Sequence, residues 1–276
     1  MGLRIATNLP SISAQRSLAA SGREIQKTFG QLSSGSRITK SADDAAGLSI
    51  SESLRSQIRG FQQAGRNAND GISMVQTSEG GLGEISNMLT RIRELAVQAA
   101  SDTIGDQERG FIDKEVQQLK AEIDRIAKTT RFGDVNLLDG TGGQFDFQVG
   151  VNATADDRIG FNANEQNATL SSLGIEDIEF TSKEGALEAL ARIDSAQKTV
   201  SGQRANLGAL QSRLISTTDQ IATTVENLSA ANSRIRDTDI AASTAELTRN
   251  TVLQQASVSV LAQANQTPAM ALKLIG

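Results

Sequence analysis

Hydrophobic residues recur every seven positions along two long stretches of this chain, one in each half. In the C-terminal half, an aliphatic residue occupies every seventh position from 193 to 235 without a break. The positions are Ile193, Val200, Leu207, Leu214, Ile221, Leu228 and Ile235. A heptad repeat held this long is typical of a coiled-coil helix rather than of a short amphipathic one. At 1.5 Å per residue, the stretch predicts a helix of roughly 64 Å.

The N-terminal half carries a second heptad repeat that is interrupted by glycines. Its positions are Leu54, Phe61, Ala68, Val75, Leu82, Leu89 and Ala96. The interrupting residues are Gly60, Gly65, Gly71, Gly80, Gly81 and Gly83. Each glycine costs about 1 kcal/mol in a helix interior, and Asn-Asp-Gly at 69–71 could instead form a hairpin turn. Because the repeat keeps its phase through every glycine, we predict one long helix whose glycines let other segments approach closely.

The middle of the chain changes its periodicity. A third helical repeat, at Ile112, Val116, Leu119, Ile123 and Ile126, follows the loop-like residues 101–110, which are short enough for antiparallel packing. Residues 145–151 then alternate between apolar and polar, and 158–162 form another short candidate strand. This alternation predicts a small β-hairpin region near 135–162. The polar residues 162–184 are expected to be irregular.

Both ends of the chain are weaker amphipathic segments, rich in Ser, Thr, Asn and Gln. The only prolines, Pro10 and Pro268, lie there, so none obstructs the long helices between them. An isolated helix of this kind is marginal in water, and such segments tend to order on binding each other or neighbouring copies. The predicted self-assembly seam is Ile5, Leu9, Ile12, Leu18, Ile25, Leu32, Leu253, Ala256, Val260 and Leu261.

These patterns predict a mainly α fold. We expect an elongated antiparallel coiled coil or helix bundle formed by both chain ends, with a small β-hairpin region in the middle. Residues 1–43 with 236–276 would form a terminal coiled-coil domain. Residues 44–235 would form a rod-like domain of long helices. Residues 1 to about 40 and about 238 to 276 are expected to order only on polymerisation.

Composition narrows the function. The chain has no Cys, His, Trp or Tyr, which removes a thiolate nucleophile, a zinc cluster and the commonest general base. A net charge of −5 without a basic block argues against nucleic acid as a partner. No stretch of about eighteen apolar residues predicts a membrane span, and the N-terminus lacks the apolar run of a secretory leader. Catalytic residues, metal sites and cofactors are therefore not expected.

The adjacent carboxylates Asp43 and Asp44 have two interpretations. Ser41 could be the N-cap of the second helix, with Asp44 three residues later in the place of a capping-box acid. Carboxylates in a first turn also favour the positive end of the helix dipole, by about 0.3–1 kcal/mol each. The alternative is a metal or acid–base site, which needs a third ligand or base that the neighbouring residues do not supply. We favour the helix start.

Three long motifs resemble the bacterial flagellin family. They are LSSGSRITKSADDAAGLSIS at 32–51, NDGISMVQTSEGGLGEISNMLTRIRELAVQAA at 69–100 and SVLAQANQTPAMALKLIG at 259–276. The resemblance covers roughly 1–140 and 185–276, and the short stretch between them suggests a flagellin with little or no outer variable domain. It implies a homopolymeric subunit of the swimming filament, with paired termini lining an inner tube and no catalysis.

The resemblance also implies partners and a location. The family is exported through the flagellum's own apparatus to an extracellular filament, without a cleaved signal peptide. An export chaperone, a cap protein and hook-junction proteins are the family's partners. A flagellin-sensing Toll-like receptor recognises a motif that matches here at Arg91, Leu95 and Glu115, with departures at Thr90 and Ile92. These residues could equally be an ordinary helix surface and its packing.

Three alternatives remain at this point. A hook–filament junction protein shares the terminal helices, although the first and third motifs favour flagellin proper. A secreted coiled-coil adhesin would fold fully as an isolated oligomer. An enzyme would need a site, and the glycine pattern at 80–85 lies inside a helical repeat with no preceding strand, where a phosphate-binding loop is not expected.

Overall fold

The structure, a computed structural model, describes residues 7–275, with side chains described through residue 266. The chain forms two compact units. One comprises Met1–Ser56 with Asn227–Gly276, and the other comprises Gln57–Glu226. This division falls at 56/57 and 226/227. The domain boundaries expected from the sequence, at 43/44 and 235/236, stay predictions.

Six α-helices make up most of the described chain. They are α1 (Leu9–Ser34), α2 (Ala45–Ala99), α3 (Asp106–Thr129), α4 (Leu170–Leu173), α5 (Lys183–Arg236) and α6 (Ile240–Ile275). The mainly α fold is thus confirmed. Helix α2 runs through residues 69–71, so the alternative hairpin turn there is wrong, and residues 80–85 lie in the same helix.

The heptad positions of α2 and α5 form the hydrophobic core of the second unit. Its buried members are Ala68, Val75, Leu82, Leu89 and Ala96 in α2, and Ile193, Val200, Leu207, Leu214 and Ile221 in α5. Ile112, Val116 and Ile123 of α3 complete the core from a third helix. Burying one large aliphatic side chain contributes about 1.5–3 kcal/mol, so the shared core is what stabilises these long helices.

Four short strands follow α3 in two antiparallel pairs. Strand β1 (Arg131–Phe132) pairs with β2 (Val135–Asn136), and β3 (Gln144–Gln148) pairs with β4 (Arg158–Asn162). The second pair is the hairpin that the alternation predicts, and its register sets Phe145 opposite Phe161 with ring centroids 6.3 Å apart. Residues 162–184 are more ordered than expected, because they contain a 3₁₀ turn at Ala163–Gln166 and the single turn of α4.

Glycines of α2 allow the β3–β4 hairpin to pack closely on the helix. A Cβ on Gly71 would lie 3.1 Å from the ring of Phe147, and one on Gly60 would lie 2.7 Å from Val151 Cγ1. Asn67 Nδ2, between these glycines, donates to the carbonyl of Gln148 at 3.0 Å. The close approach expected from the glycines is therefore found at this face of α2.

Two buried cationic side chains of α3 hold connecting segments of the second unit. The Arg109 guanidinium donates to the carbonyls of Ala99 and Ser101 at 2.9 and 3.0 Å, which closes the connection between α2 and α3. The Lys120 ammonium donates to the carbonyls of Glu176 and Ile178. Both side chains thus donate to backbone carbonyls of the connecting segments.

Candidate assembly surface

Helices α1 and α6 form an antiparallel pair within the first unit. At one end, Asn8 Nδ2 donates to the carbonyl of Ala264 and Ser11 Oγ donates to Asn265 Oδ1, both at 2.9 Å. At the other end, residues just after α1 and just before α6 form a β-bridge between Ser36 and Asp237. The two chain ends, far apart in sequence, therefore lie along each other.

The contact between α1 and α6 follows heptad spacing, but half of its positions are polar. We call the buried and half-buried residues at this spacing the α1–α6 seam. They are Ser11, Ala14, Leu18, Ser21, Ile25, Thr28 and Leu32 in α1, and Ser243, Leu247, Asn250, Gln254, Ser257, Leu261 and Ala264 in α6. Small and polar side chains bury little apolar area, so this seam alone stabilises the pair weakly.

Large apolar side chains of the same two helices lie outside the seam. Each is between 41% and 64% exposed. We call them the outer apolar residues: Leu9, Ile12, Phe29, Ile240, Val252, Leu253, Val258 and Val260. Single exposed apolar residues are common on proteins, whereas these eight share one helix pair.

The residues predicted as the self-assembly seam divide between these two surfaces. Leu18, Ile25, Leu32 and Leu261 are half-buried members of the α1–α6 seam. The other predicted residues lie at exposed positions outside the α1–α6 seam: Leu9, Ile12, Leu253, Ala256 and Val260. Ile5 lies outside the described residues. The polar seam residues were not predicted, and their only signal in the sequence is that they keep three- and four-residue spacing with the seam leucines.

Asp43 and Asp44 organise the start of α2. Asp44 Oδ1 accepts a hydrogen bond from the N–H of Gly47 at 2.8 Å, and α2 begins at Ala45, so Asp44 is the N-cap. The predicted N-cap, Ser41, is wrong because that residue lies in the preceding turn. Asp43 Oδ2 accepts from the N–H groups of Lys40 and Thr39 and from the Thr39 hydroxyl.

The same hydrogen bonds set the charge state of Asp43. The N–H of Lys40, followed by the Thr39 hydroxyl, holds the pKa of the Asp43 carboxyl below its ordinary value. Both carboxylates thus serve backbone donors, which favours the helix-start interpretation. Among the residues that the structure describes, no group of three or more carboxylates could hold a metal ion.

The residues matching the receptor motif occupy two different environments in the second unit. Arg91 Nε and Nη2 donate to Glu115 Oε1 at 3.0 and 2.9 Å, and Nη1 donates to Glu94 at 3.0 Å. This ion-pair cluster is exposed. Leu95, in contrast, is 2% exposed and belongs to the hydrophobic core. The structure therefore brings Arg91 and Glu115 together at the surface and places Leu95 beneath it.

The chain is mainly helical, pairs α1 with α6 and leaves large apolar side chains exposed on that pair. These features are typical of self-assembling structural subunits. Within the part of the chain that the structure describes, no helix is long and apolar enough to cross a membrane. Two family models agree with this class: the bacterial flagellin N-terminal helical region matches residues 5–142, and the bacterial flagellin C-terminal helical region matches residues 190–275. The chain belongs to the bacterial flagellin family.

Curated relatives support the assignment over almost the whole chain. The chain is 44% identical to the flagellin of Halalkalibacterium halodurans, with 97% of this chain and 98% of the relative covered. It is 40% identical to Flagellin FlaB2 of Treponema pallidum, again covering 97% and 98%. The flagellin of Bacillus subtilis is 39% identical, with 99% and 100% covered.

Solved structures point the same way. The crystal structure of Bacillus cereus flagellin shares 30% identity and a TM-score of 0.51, covering 60% of this chain and 94% of that one. A putative flagellar hook-associated protein from Vibrio parahaemolyticus shares the fold, with a TM-score of 0.58 at 14% identity over 71% of this chain and 100% of that one. The protein is a structural subunit that forms the flagellar filament as a homopolymer, and it is not an enzyme. The junction-protein and adhesin alternatives are not favoured.

Proposed function

We propose that copies of this chain join in the filament through the outer apolar residues of α1 and α6. The observation that supports this is the distribution of side chains on the helix pair. The α1–α6 seam holds polar residues at half of its positions, whereas side chains such as Phe29 and Val260 are more than half exposed. Neighbouring copies would remove that apolar area from water, and each Å² removed stabilises the contact between subunits by roughly 25 cal/mol.

The weak seam also supports coupled folding of the chain ends. A pair whose contact is half polar is marginal by itself, so we expect residues 1 to about 40 and about 238 to 276 to order on polymerisation. The second unit, with its continuous apolar core, folds in the free subunit. Limited proteolysis should trim both ends of the monomer and spare those of the polymer. Equal protection of the ends in both states would refute this coupling.

A charge placed on the outer apolar residues tests the proposed surface. Ile12→Asp and Val260→Asp should abolish filaments, because the new carboxylate would be buried between copies without a partner. Ser13→Asp and Gln255→Asp put the same group on exposed polar positions of the same helices and should leave filaments intact. Electron microscopy and sedimentation measure assembly, and circular dichroism checks that the second unit stays folded. Normal filaments from Val260→Asp and Ile12→Asp would reject the surface.

Export and capping follow from family membership as further proposals. We expect the chain to leave the cell through the flagellum's own secretion apparatus and to reside in an extracellular filament. An export chaperone at the C-terminal region, a cap protein at the growing tip and hook-junction proteins are the expected partners. Their binding surfaces would include α6, because it combines exposed apolar side chains with a marginal seam.

Recognition by a flagellin-sensing Toll-like receptor is a separate proposal. The exposed ion pair of Arg91 and Glu115 is the feature that a receptor could contact directly. Leu95 would act beneath it by positioning α2, since its side chain is buried. Replacing Arg91 by Ala should lower receptor signalling while the melting temperature stays unchanged. Unchanged signalling from that variant would remove this proposal.

A further inference from the structure

Asn250 occupies the middle of the α1–α6 seam and is the most unusual of its polar residues. Its side chain is 8% exposed. Its Nδ2 atom has less than 1 Å² accessible and no hydrogen-bond partner among the described residues. With so little accessible surface, no water molecule fits against this donor. The amide is therefore dehydrated without compensation when α1 and α6 are together.

The two buried hydroxyls of the seam find partners, whereas the Asn250 amide does not. Ser11 Oγ donates to Asn265 Oδ1, and Thr28 Oγ1 donates to the carbonyl of Glu24 in its own helix at 2.8 Å. The other buried side-chain atoms without a partner in the described chain, on Gln166, Gln203 and Asn232, are all amide oxygens. An N–H left without an acceptor is the rarer case in native proteins.

The surroundings of Asn250 explain why its amide stays unpaired. Hydrogen bonds from Asn8 to Ala264 and the bridge from Ser36 to Asp237 fix the antiparallel register of α1 and α6. These pairings place Asn250 across from about residue 22, next to the seam residue Ser21. No side chain of α1 accepts a hydrogen bond from Asn250 Nδ2. The carbonyls of a helix interior are already used by its own backbone hydrogen bonds.

This cost arises only when the pair closes. While α1 and α6 are apart, water hydrates the Asn250 amide, and the donor loses that hydration on closing. Leaving a buried donor unpaired shifts an equilibrium by about tenfold or more. Assembly gains nothing from this directly, since a neighbouring copy on the outer apolar residues cannot reach an enclosed atom. The residue thus acts on one equilibrium, between the open and the closed pair.

We infer that Asn250 sets the threshold at which α1 and α6 close, so that the pair stays open in the free subunit and closes when neighbouring copies cover its outer apolar residues. The inference rests on the proposed function and adds a regulatory residue to it. If α1 and α6 closed in the free subunit, its outer apolar residues would already be arranged for binding other copies. Such subunits would join each other away from the filament tip. Asn250 delays that surface until a filament end supplies the missing contacts.

Alanine substitutions in the seam test this inference. Asn250→Ala removes the unpaired donor, and it should raise the closed-to-open ratio of the free subunit about tenfold. Gln254→Ala is the matched control, because it removes an amide from the next seam position, which is half-buried and holds no enclosed unpaired atom. Both variants gain helix propensity, so the difference between them reports the donor. Hydrogen exchange of the α1 and α6 amides in dilute monomer measures the ratio.

Polymerisation without seeds gives a second readout. Asn250→Ala subunits should start filaments or irregular polymers at concentrations where the parent chain and Gln254→Ala elongate only added seeds. Asn250→Leu, which fills the seam, should act in the same direction. Equal exchange protection in Asn250→Ala and Gln254→Ala would overturn the inference while the proposed surface stands, since that depends on Ile12 and Val260. Normal filaments from Val260→Asp would remove the surface instead, and the monomer exchange would still decide the role of Asn250.

Discussion

Two pairs of helices in this protein share heptad spacing and differ in what occupies it. In the second unit, the seam positions of α2 and α5 are apolar and buried, as at Leu82, Leu89 and Leu207. In the first unit, the seam of α1 and α6 mixes aliphatic residues with Ser, Thr, Asn and Gln, and further large apolar side chains are exposed outside it. The spacing is the same, while the side chains that fill it are apolar in the second unit and half polar in the first.

This difference separates what a heptad repeat specifies from what makes it stable. Spacing determines that two helices can pack along each other, and it holds for both pairs. The free energy comes from the apolar area that the packing removes from water. Within one chain, the fully apolar seam of α2 and α5 removes more apolar area from water than the half-polar seam of α1 and α6. The outer apolar residues of α1 and α6 stay exposed within one chain, and under the proposed function other copies cover them.

Shortening a leucine in each seam should affect the two helix pairs very differently. Leu89→Ala removes a fully buried side chain of the second unit and should lower the free energy of unfolding by about 2–5 kcal/mol. Leu261→Ala, in the half-buried seam of α6, should leave that unfolding transition of the free subunit unchanged. Urea denaturation followed by circular dichroism measures both.

The two variants should reverse their order in the filament. Leu261→Ala is expected to raise the concentration needed for polymerisation, because the α1–α6 pair closes there. Equal loss of monomer stability from Leu89→Ala and Leu261→Ala would show that the two seams stabilise the free subunit equally.

Sequence patterns were sufficient where one apolar face meets one partner in the same chain. The α2 repeat was predicted through all of its glycines because Ala68, Val75 and Leu82 keep their phase on both sides of Gly71. The β3–β4 hairpin followed from the alternation at 145–151 for the same reason. In each case the burial is completed within the chain, so the pattern of side chains reports it directly.

Sequence patterns were insufficient in two situations. In the first, an apolar residue can be covered either by its own chain or by another copy. In the second, two neighbouring polar residues are both suitable as the N-cap of a helix. At the chain ends, periodicity detected Leu9 and Leu18 together, although one is exposed and the other faces the partner helix. Hydrophobicity does not record which chain will cover a residue. At the start of α2, Ser41 and Asp44 are both good caps. Only the backbone geometry shows that the helix begins at Ala45 and that Asp44 reaches the N–H of Gly47.

A change of intermediate size distinguishes these two caps. Asp44→Ala removes the hydrogen bond to Gly47 and should destabilise the first turn of α2 by about 1 kcal/mol. Hydrogen exchange of the Gly47 amide should then be several times faster. Ser41→Ala, which would be the damaging change if Ser41 were the cap, should leave that rate unaltered. A faster rate in Ser41→Ala alone would restore the cap predicted from the sequence.

Replacing one glycine by alanine in α5 and one in α1 should give the smallest change in stability. Gly202 in α5 and Gly30 in α1 lie in helix interiors, and a Cβ at either would meet nothing within 4 Å. Gly202→Ala should raise the free energy of unfolding by about 0.8–1.0 kcal/mol, because alanine restricts the unfolded chain and fits the helix. Gly30→Ala should add helical content to the free subunit without moving that transition, since α1 lies outside the cooperative core. Thermal unfolding followed by circular dichroism records both quantities. A shift of the main transition by Gly30→Ala would mean that α1 already folds with the second unit before assembly, and the polar seam would then be more stable than its composition indicates.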